Sequence, residues 1–255
     1  MPRAARAGLP PRIHVGERLR RTAALRLAPT PSRHLQVLRL QPGDALTLFD
    51  GGGGEWSARV VAMARDHVTV AIDGHRDVER ELACRVTVAI GMPANDRMDT
   101  FIEKATELGV DAIQPILSAR SVLRLEGERG VRRIAHWRAI AVAACEQCGR
   151  NRVPHVHDIR ALDDWLSSPG GDAGAARWLL SPCAAAMPTL QDARAAPSAL
   201  LVLSGPEGGF TADEEASAQA AGFRACSLGA RVLRADTAPL VVLAGCAWLE
   251  GASQS

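Results

Sequence analysis

The sequence predicts an α/β protein in two parts, an N-terminal β-barrel followed by a domain built on a mainly parallel sheet. Three observations carry this. Short, partly alternating strands crowd the region before Asp73, and from Arg85 onward apolar strands alternate with helix-period segments. The chain has 255 residues, 47% apolar and 23% charged, the proportions of an ordinary globular protein with a substantial core. Disorder, a collagen-like chain and a disulfide-stapled miniprotein are excluded.

In the first part, Ala45–Phe49, Glu55–Val61 and His67–Ile72 read as strands, and His34–Leu40 as a short helix. Asp50-Gly51-Gly52-Gly53-Gly54 reads as a hairpin loop, since no helix follows it to make a phosphate loop. Residues 1–76 form this barrel, with 1–8 an extension, and Asp73–Leu82 is the linker. The second domain, 83–252, opens on strand Val86–Ile90. A helix then carries Met98, Phe101, Ile102, Ala105 and Leu108 on one face and stops at Gly109. Strand Ala112–Leu117 and a long helix over Val131–Cys148 follow. Further strands are expected at Trp178–Ser181, Leu200–Ser204 and Ala225–Leu228, with helices at Ala212–Ala221 and Thr237–Leu249. Leu166–Gly174 reads as a surface loop.

The formal charge of +2 conceals an asymmetry. Residues 1–40 hold nine arginines and one acid, a net +8, while the rest carries 21 bases and 27 acids, a net −6. A second basic stretch, Ala119–Arg152, has eight arginines and three glutamates. Such clustering is the electrostatic footprint of a polyanion partner, and phosphate is the usual one. No stretch of about 18 apolar residues predicts a membrane span. Residues 1–11 lack the apolar region of a secretory signal. The six scattered cysteines therefore read as reduced thiols of a cytoplasmic protein.

Three segments invite chemistry. Cys145-Glu-Gln-Cys148 has the spacing of a zinc or dithiol pair, but it falls on the apolar helix face of Ile134, Trp137 and Ala141 with no second pair. It reads as two small hydrophobes, and no metal is expected. Gly205-Pro-Glu-Gly-Gly-Phe210 follows an apolar strand and precedes a helix that Thr211 caps, with Glu214 three residues on. Parallel sheets bind ligands at this point, yet the turn lacks both the Lys-Ser/Thr of a Walker loop and G-x-G-x-x-G spacing. By itself it is equally a tight turn or a site. In Leu228-Gly-Ala-Arg-Val-Leu-Arg-Ala-Asp-Thr237, Arg231 and Arg234 are interleaved with apolar residues. The helix after it is uncharged through Leu249 and too short for a bilayer, so it belongs in the core or a subunit interface.

These segments, with Arg33-His-Leu-Gln-Val-Leu-Arg39, Asp96-Arg-Met-Asp99, Glu103-Lys-Ala-Thr-Glu-Leu-Gly-Val110 and Glu146-Gln-Cys-Gly-Arg-Asn-Arg-Val-Pro154, resemble the bacterial 16S rRNA uridine-N3 methyltransferases of the SPOUT class. The resemblance runs from Leu9 to Leu249. It implies a PUA-like RNA-binding barrel, a trefoil-knotted α/β methyltransferase domain, a homodimer and 16S rRNA of the small ribosomal subunit as partner. It implies S-adenosylmethionine as cofactor and S-adenosylhomocysteine as product. The cofactor residues it implies are Ser181, Pro182, Leu203, Ser204, Gly205, Glu207, Gly208, Gly209, Leu228, Gly229, Val232, Leu233 and Arg234. Arg12, Arg20, Arg21, Arg33, Arg39, Arg97, Arg120, Arg150 and Arg152 are the candidate RNA contacts. Ala94, Asn95, Asp236 and Pro239 depart from the family pattern. Asp236 keeps the charge of the usual glutamate and is expected to cap the helix, and Pro239 falls in its first turn.

Methyl transfer to uracil N3 requires loss of the N3 proton and alignment with the sulfonium methyl. Arg234 is expected to stabilise the developing anion, and Glu207 or Asp236 to orient it or take the proton. The rival readings are a SPOUT enzyme with another RNA target and a non-catalytic rRNA-binding protein.

Overall fold

The computed structural model describes residues 10–94, 96–123, 125, 127–170, 174–184 and 198–253; the N-terminal extension and Asn95 lie outside the described residues. It divides into two units, Met1–Glu81 with Cys145–Val153, and Leu82–Ala144 with Pro154–Ser255.

The first unit is a five-stranded sheet in the order β1-β3-β4-β5-β2. Its elements are β1 (Arg12–His14), β2 (Thr22–Arg26), α1 (Pro29–Val37), β3 (Ala45–Phe49), β4 (Glu55–Met63) and β5 (Val68–Arg76). β1 runs parallel to β3, and the remaining pairs are antiparallel. Ile13, Leu35, Leu46, Leu48, Val60, Val68 and Val70 fill its core. The glycine loop joins β3 to β4 as expected, with Gly51, Gly53 and Gly54 at positive φ. β1 and β2 escape the sequence reading because such short strands show too little alternation. α1 starts earlier than expected. Pro29 sits at its first position, where no N–H is needed, and the Ser32 hydroxyl donates to Leu27 O and accepts from Val68 N. α1 ends with Arg39 N–H on Gln36 O and Leu40 N–H on Leu35 O. Arg39 thereby holds φ 59°, a left-handed conformation that Gly109 takes at the same place after the helix Arg97–Glu107.

The sequence reading divides the chain once, but the first unit takes in a second stretch. Within it, Glu146 accepts the His14 N–H at 2.9 Å and lies 3.3 Å from His34 Nδ1. The Glu146 hydrogen bond raises the His34 pKa, whereas burial lowers that of His14. Asn151 accepts from Arg12 at 2.6 Å and donates to Val78 O, and Arg150, 4% exposed, pairs with Glu81. Cys145 is buried, and burial pushes its thiol up to about 12, far from a metal-binding thiolate; Cys148 is half-buried. The hub is Glu55, 2% exposed, which receives Arg12 at 2.6 Å, Arg76 at 2.5 Å and Arg80 at 3.2 Å. Burial alone would raise its pKa; the hydrogen bonds from Arg12 and Arg80 outweigh burial and hold it below the usual glutamate value.

The second unit comprises β6 (Arg85–Gly91), α2 (Arg97–Glu107), β7 (Ala112–Leu117), α3 (Gly127–Cys148), β8 (His155–Val156), β9 (Arg160–Ala161), α4 (Leu162–Ser167), β10 (Ala176–Leu180), β11 (Ala199–Ser204), α5 (Ala212–Ala220), β12 (Arg224–Cys226) and α6 (Thr237–Ser253). The last turn of α3 belongs to the first unit. Among the described residues the second unit has seven strands, all parallel, in the order β12-β10-β11-β6-β7-β8 with β9 also on β7. Met98, Phe101, Ile102 and Ala105 of α2 are fully buried, as their spacing predicts. α4, whose last two residues fall in the surface loop expected from Leu166, is too short to show a period, yet Leu162, Trp165 and Leu166 pack with Leu179, Leu201, Leu203 and Phe223. In α6, expected in the core or a subunit interface, Val242 and Leu243 are buried, while Val241 is 43% and Trp248 68% exposed. Its apolar surface is only half covered within one chain.

Replacing Glu55 by Gln should destabilise the first unit by on the order of 3 kcal/mol, because the three guanidiniums lose their shared anion. The folded-state pKa is lowered, so Glu55 stabilises above the free glutamate value of about 4.3. That stability disappears as pH falls through the lowered value. Thermal melts should therefore separate wild type from Glu55→Gln more at pH 7 than at pH 3. Equal separation at both would show that the anion is not the stabilising element.

Candidate functional site

β10, β11 and β12 lie side by side and end in register, Leu180 opposite Ser204 and Cys226. Each strand ends on, or is followed by, a buried serine: Ser204 at 3% exposure, and Ser181 and Ser227 at 7%. A cavity of about 470 Å³ opens at these carboxyl ends, where parallel sheets place ligands. Three segments line it, 180–182, 204–210 and 226–235, together with Glu215 and Ala238. Ser181 N–H donates to Cys226 O at 3.0 Å, and Ser204 Oγ to Ala235 O at 3.4 Å, tying the segments to one another.

The Gly205–Gly209 turn is the tightest of the three. Gly209 N–H closes it on Pro206 O at 2.8 Å, with Gly209 at φ 67°. Thr211 and Glu214 form the expected capping box at the start of α5. Gly209 and Gly229, both at positive φ, face open space, so backbone can approach a ligand there without a side chain between. Gly208 is different: a Cβ there would meet Arg120 Cβ at 3.2 Å, so its space is taken by Arg120 and not by the cavity.

Ser181, Pro182, Ser204, Gly205, Glu207, Gly208, Gly209, Leu228, Gly229, Val232, Leu233 and Arg234 all line the cavity. Leu203 does not. Its side chain is fully buried in the apolar cluster with Leu179 and Leu201, because alternation along β11 turns it away. The Arg234 guanidinium has no carboxylate partner among the described residues. Glu207 is not paired with it: one carboxylate oxygen accepts Ala94 N–H at 2.9 Å and Arg97 Nη1 at 3.3 Å. Asp236 is outside the lining residues, and no cap bond is seen from its Oδ1, which is buried without a partner among the described residues. A buried carboxylate oxygen left so is costly unless a ligand or substrate group reaches it.

The candidate RNA contacts separate into two groups. Arg20, Arg21, Arg33 and Arg39 are exposed and carry no ion pair among the described residues. Arg12 and Arg150 are corrected to internal roles by their pairs with Glu55 and Glu81, which leave them 15% and 4% exposed. Arg152 pairs with Glu79 and Arg97 with Glu207, and Arg120 donates to the Gly208 and Phe210 carbonyls. The basic stretch after Ala119 is further neutralised by Arg138–Asp158 and Arg132–Glu128.

Sequence reasoning missed Gly91, assigned Arg120 to RNA, and read Glu214 only as a helix cap. A Cβ on Gly91 would lie 2.5 Å from Pro206 N, so the end of β6 must be glycine for the turn to pass. A glycine ending an otherwise bulky apolar strand is the signal that could have found it. Nothing local marks Arg120.

The chain matches a family model described as an RNA methyltransferase domain over residues 80–247, and one described as an RNA methyltransferase PUA domain over residues 32–73. It is 31% identical to Ribosomal RNA small subunit methyltransferase E of Bacillus subtilis, over 82% of this chain and 83% of that protein. With its Synechocystis counterpart it shares 35%, over 87% of this chain and 72% of the relative. The crystal structure of a Ribosomal RNA small subunit methyltransferase E from Neisseria gonorrhoeae, bound to S-adenosyl methionine, is similar at 35% identity and a TM-score of 0.86, covering 94% of this chain and 98% of that one. A Legionella pneumophila methyltransferase in complex with the same cofactor also gives 0.86, at 31% identity and 95% and 98% coverage.

Gly91→Val should displace the Gly205–Gly209 turn by steric overlap with Pro206. Thermal stabilisation by S-adenosylmethionine, the cofactor that the resemblance implies, should then vanish. Retention of the full shift would show that the turn can move without loss of the site.

Proposed function

Because the chain belongs to the RNA methyltransferase family of these small-subunit rRNA enzymes, we propose that it methylates N3 of a uridine in 16S rRNA, with S-adenosylmethionine as donor. The observation that carries this reading is the cavity at the ends of β10, β11 and β12, walled mainly by backbone and apolar groups, where neither Arg231 nor Arg234 has an ion pair among the described residues. The residues present fit the cofactor. Gly209 and Gly229 leave room beside the backbone, and Leu180, Pro206, Val232 and Leu233 offer apolar walls. Ser181, Ser204–Gly209 and Leu228–Arg234 would hold it. When bound, S-adenosylmethionine supplies the methyl electrophile and leaves as S-adenosylhomocysteine.

The protein's share is positioning, electrostatics and removal of a proton. Arg234 places its positive charge where the uracil oxygens gain negative charge as the N3 proton departs. The unpartnered oxygen of Asp236 is the acceptor for that proton or for a group that relays it. Glu207 holds the turn through Ala94 and Arg97 instead of acting on substrate. The exposed Arg20, Arg21, Arg33 and Arg39 grip rRNA phosphates.

The uncovered face of α6, with Val241 and Trp248, packs against a second copy to make the homodimer. A ribosomal RNA substrate places the protein in the cytoplasm. Among the described residues, no helix is long and apolar enough to cross a membrane.

Mass spectrometry of small-subunit rRNA from cells lacking this protein should show loss of one N3-methyluridine. Wild-type protein should restore it, and Arg234→Ala should turn over about 100-fold more slowly in vitro. An unchanged nucleoside profile would defeat the reading. For the dimer, Val241→Glu should give monomer by sedimentation while keeping the fold, since this side chain lies outside the core. Leu243 is unsuitable for that test, being fully buried.

A further inference from the structure

The turn after β7 lies outside the three segments that line the cavity, yet it grips the central one. Ser118 and Ser121 make it rigid. Ser121 N–H donates to Ser118 O at 3.1 Å, Ser118 N–H donates to Ser121 Oγ at 3.0 Å, and the two buried hydroxyls are 3.0 Å apart. From this base Arg120 Nη1 donates to Gly208 O at 2.9 Å and to Phe210 O at 3.1 Å. Alongside it, Ala119 N–H donates to Glu214 Oε1 at 2.7 Å. The other oxygen of Glu214 accepts Thr211 N–H at 2.8 Å. One carboxylate thus closes the helix cap and fastens the 118–121 turn to it.

We propose that Arg120 is a positioning residue for the cofactor loop, setting the Gly208–Phe210 peptides by holding their carbonyls, and is not a contact to RNA. The physical need is plain. Gly208 and Gly209 lack side chains, so within the turn the Gly209–Pro206 hydrogen bond alone must select one backbone conformation from the many open to glycine. Holding the carbonyls of residues 208 and 210 also fixes the planes of those two peptides, whose N–H groups close the turn on Pro206 O and the cap on Glu214. A guanidinium suits this task, with several donors on a rigid plane. The serine-braced turn keeps it from wandering, and a Cβ on Gly208 would touch its stem at 3.2 Å.

The inference rests on the methyltransferase reading, and the test separates the two. Binding of S-adenosylhomocysteine and of a 16S rRNA fragment is measured for wild type, Arg120→Met, Arg120→Lys and a control, Arg20→Glu/Arg21→Glu/Arg33→Glu. Arg120→Met keeps the stem and removes the donors. It should weaken S-adenosylhomocysteine about tenfold or more, and leave RNA affinity and its salt slope at wild-type values. Arg120→Lys keeps the charge without the fork and should recover the nucleoside affinity only in part. The control should do the reverse, losing RNA affinity and flattening its salt dependence with S-adenosylhomocysteine binding intact. Two results overturn the proposal: unchanged S-adenosylhomocysteine affinity in Arg120→Met, or lost RNA affinity that Arg120→Lys restores. If Arg120→Met fails to fold, Arg120→Lys decides by which of the two ligands it weakens. Failure of wild type to bind S-adenosylhomocysteine would instead overturn the functional reading itself.

Discussion

A glycine-rich turn cannot hold its own shape, and the cavity depends on what holds the one between Gly205 and Thr211. Ordering such a segment costs more backbone entropy than ordering any other, so the restraint has to come from neighbours. It comes from several directions. At the end of β6, Gly91 clears the way for Pro206. The segment after β6 supplies Ala94 N–H and Arg97 to Glu207. The turn after β7 supplies Arg120, and α5 supplies Glu214. Phe210 anchors the far end in the apolar cluster with Leu203 and Phe223. Four parts of the second unit therefore converge on a handful of peptides, which is how a flexible sequence becomes a preorganised rim.

The parallel sheet makes this convergence feasible. Because β10, β11 and β12 run the same way in register, their carboxyl ends open at one level, and the segments that follow must share the space beyond. Ser181, Ser204 and Ser227 occupy that level, buried and small enough to let the chain turn. An antiparallel arrangement would scatter the same segments to opposite ends of the sheet. α6 follows directly from the last of them, so residues beside the cavity and residues on an uncovered apolar face belong to one continuous stretch.

Arginine carries two unlike tasks here, and the distinction is one of partners. Arg12, Arg76 and Arg80 converge on Glu55 and Arg150 pairs with Glu81, so these guanidiniums hold the first unit together. Arg20, Arg21, Arg33 and Arg39 have no such commitment among the described residues. A carboxylate and a phosphate ask the same geometry of a guanidinium, and a run of basic residues in the chain does not say which it will meet. Arg39 is held in a left-handed conformation where α2 is followed by Gly109. This costs a non-glycine residue roughly 1–2 kcal/mol, and a stability optimum would put glycine there.

Much of the architecture was legible from period alone. The strands of the second unit other than β8 and β9, the buried face of α2, the hairpin over Gly51–Gly54 and the cap at Thr211 all follow from spacing and residue type, since local sterics and burial decide them. Motif order was sufficient to indicate the family and most of the residues lining the cavity. What escaped were short elements such as β1, β2 and α4, whose few residues cannot display a period, and pairings between residues far apart in the chain. The attachment of Cys145–Val153 to the first unit, the inward turn of Arg12, the rotation of Leu203 away from the cavity and the grip of Arg120 on Gly208 were decided only by tertiary structure. Composition and period report which groups seek burial or water. Which polar group meets which is settled by the packing of distant segments, and no local pattern encodes it.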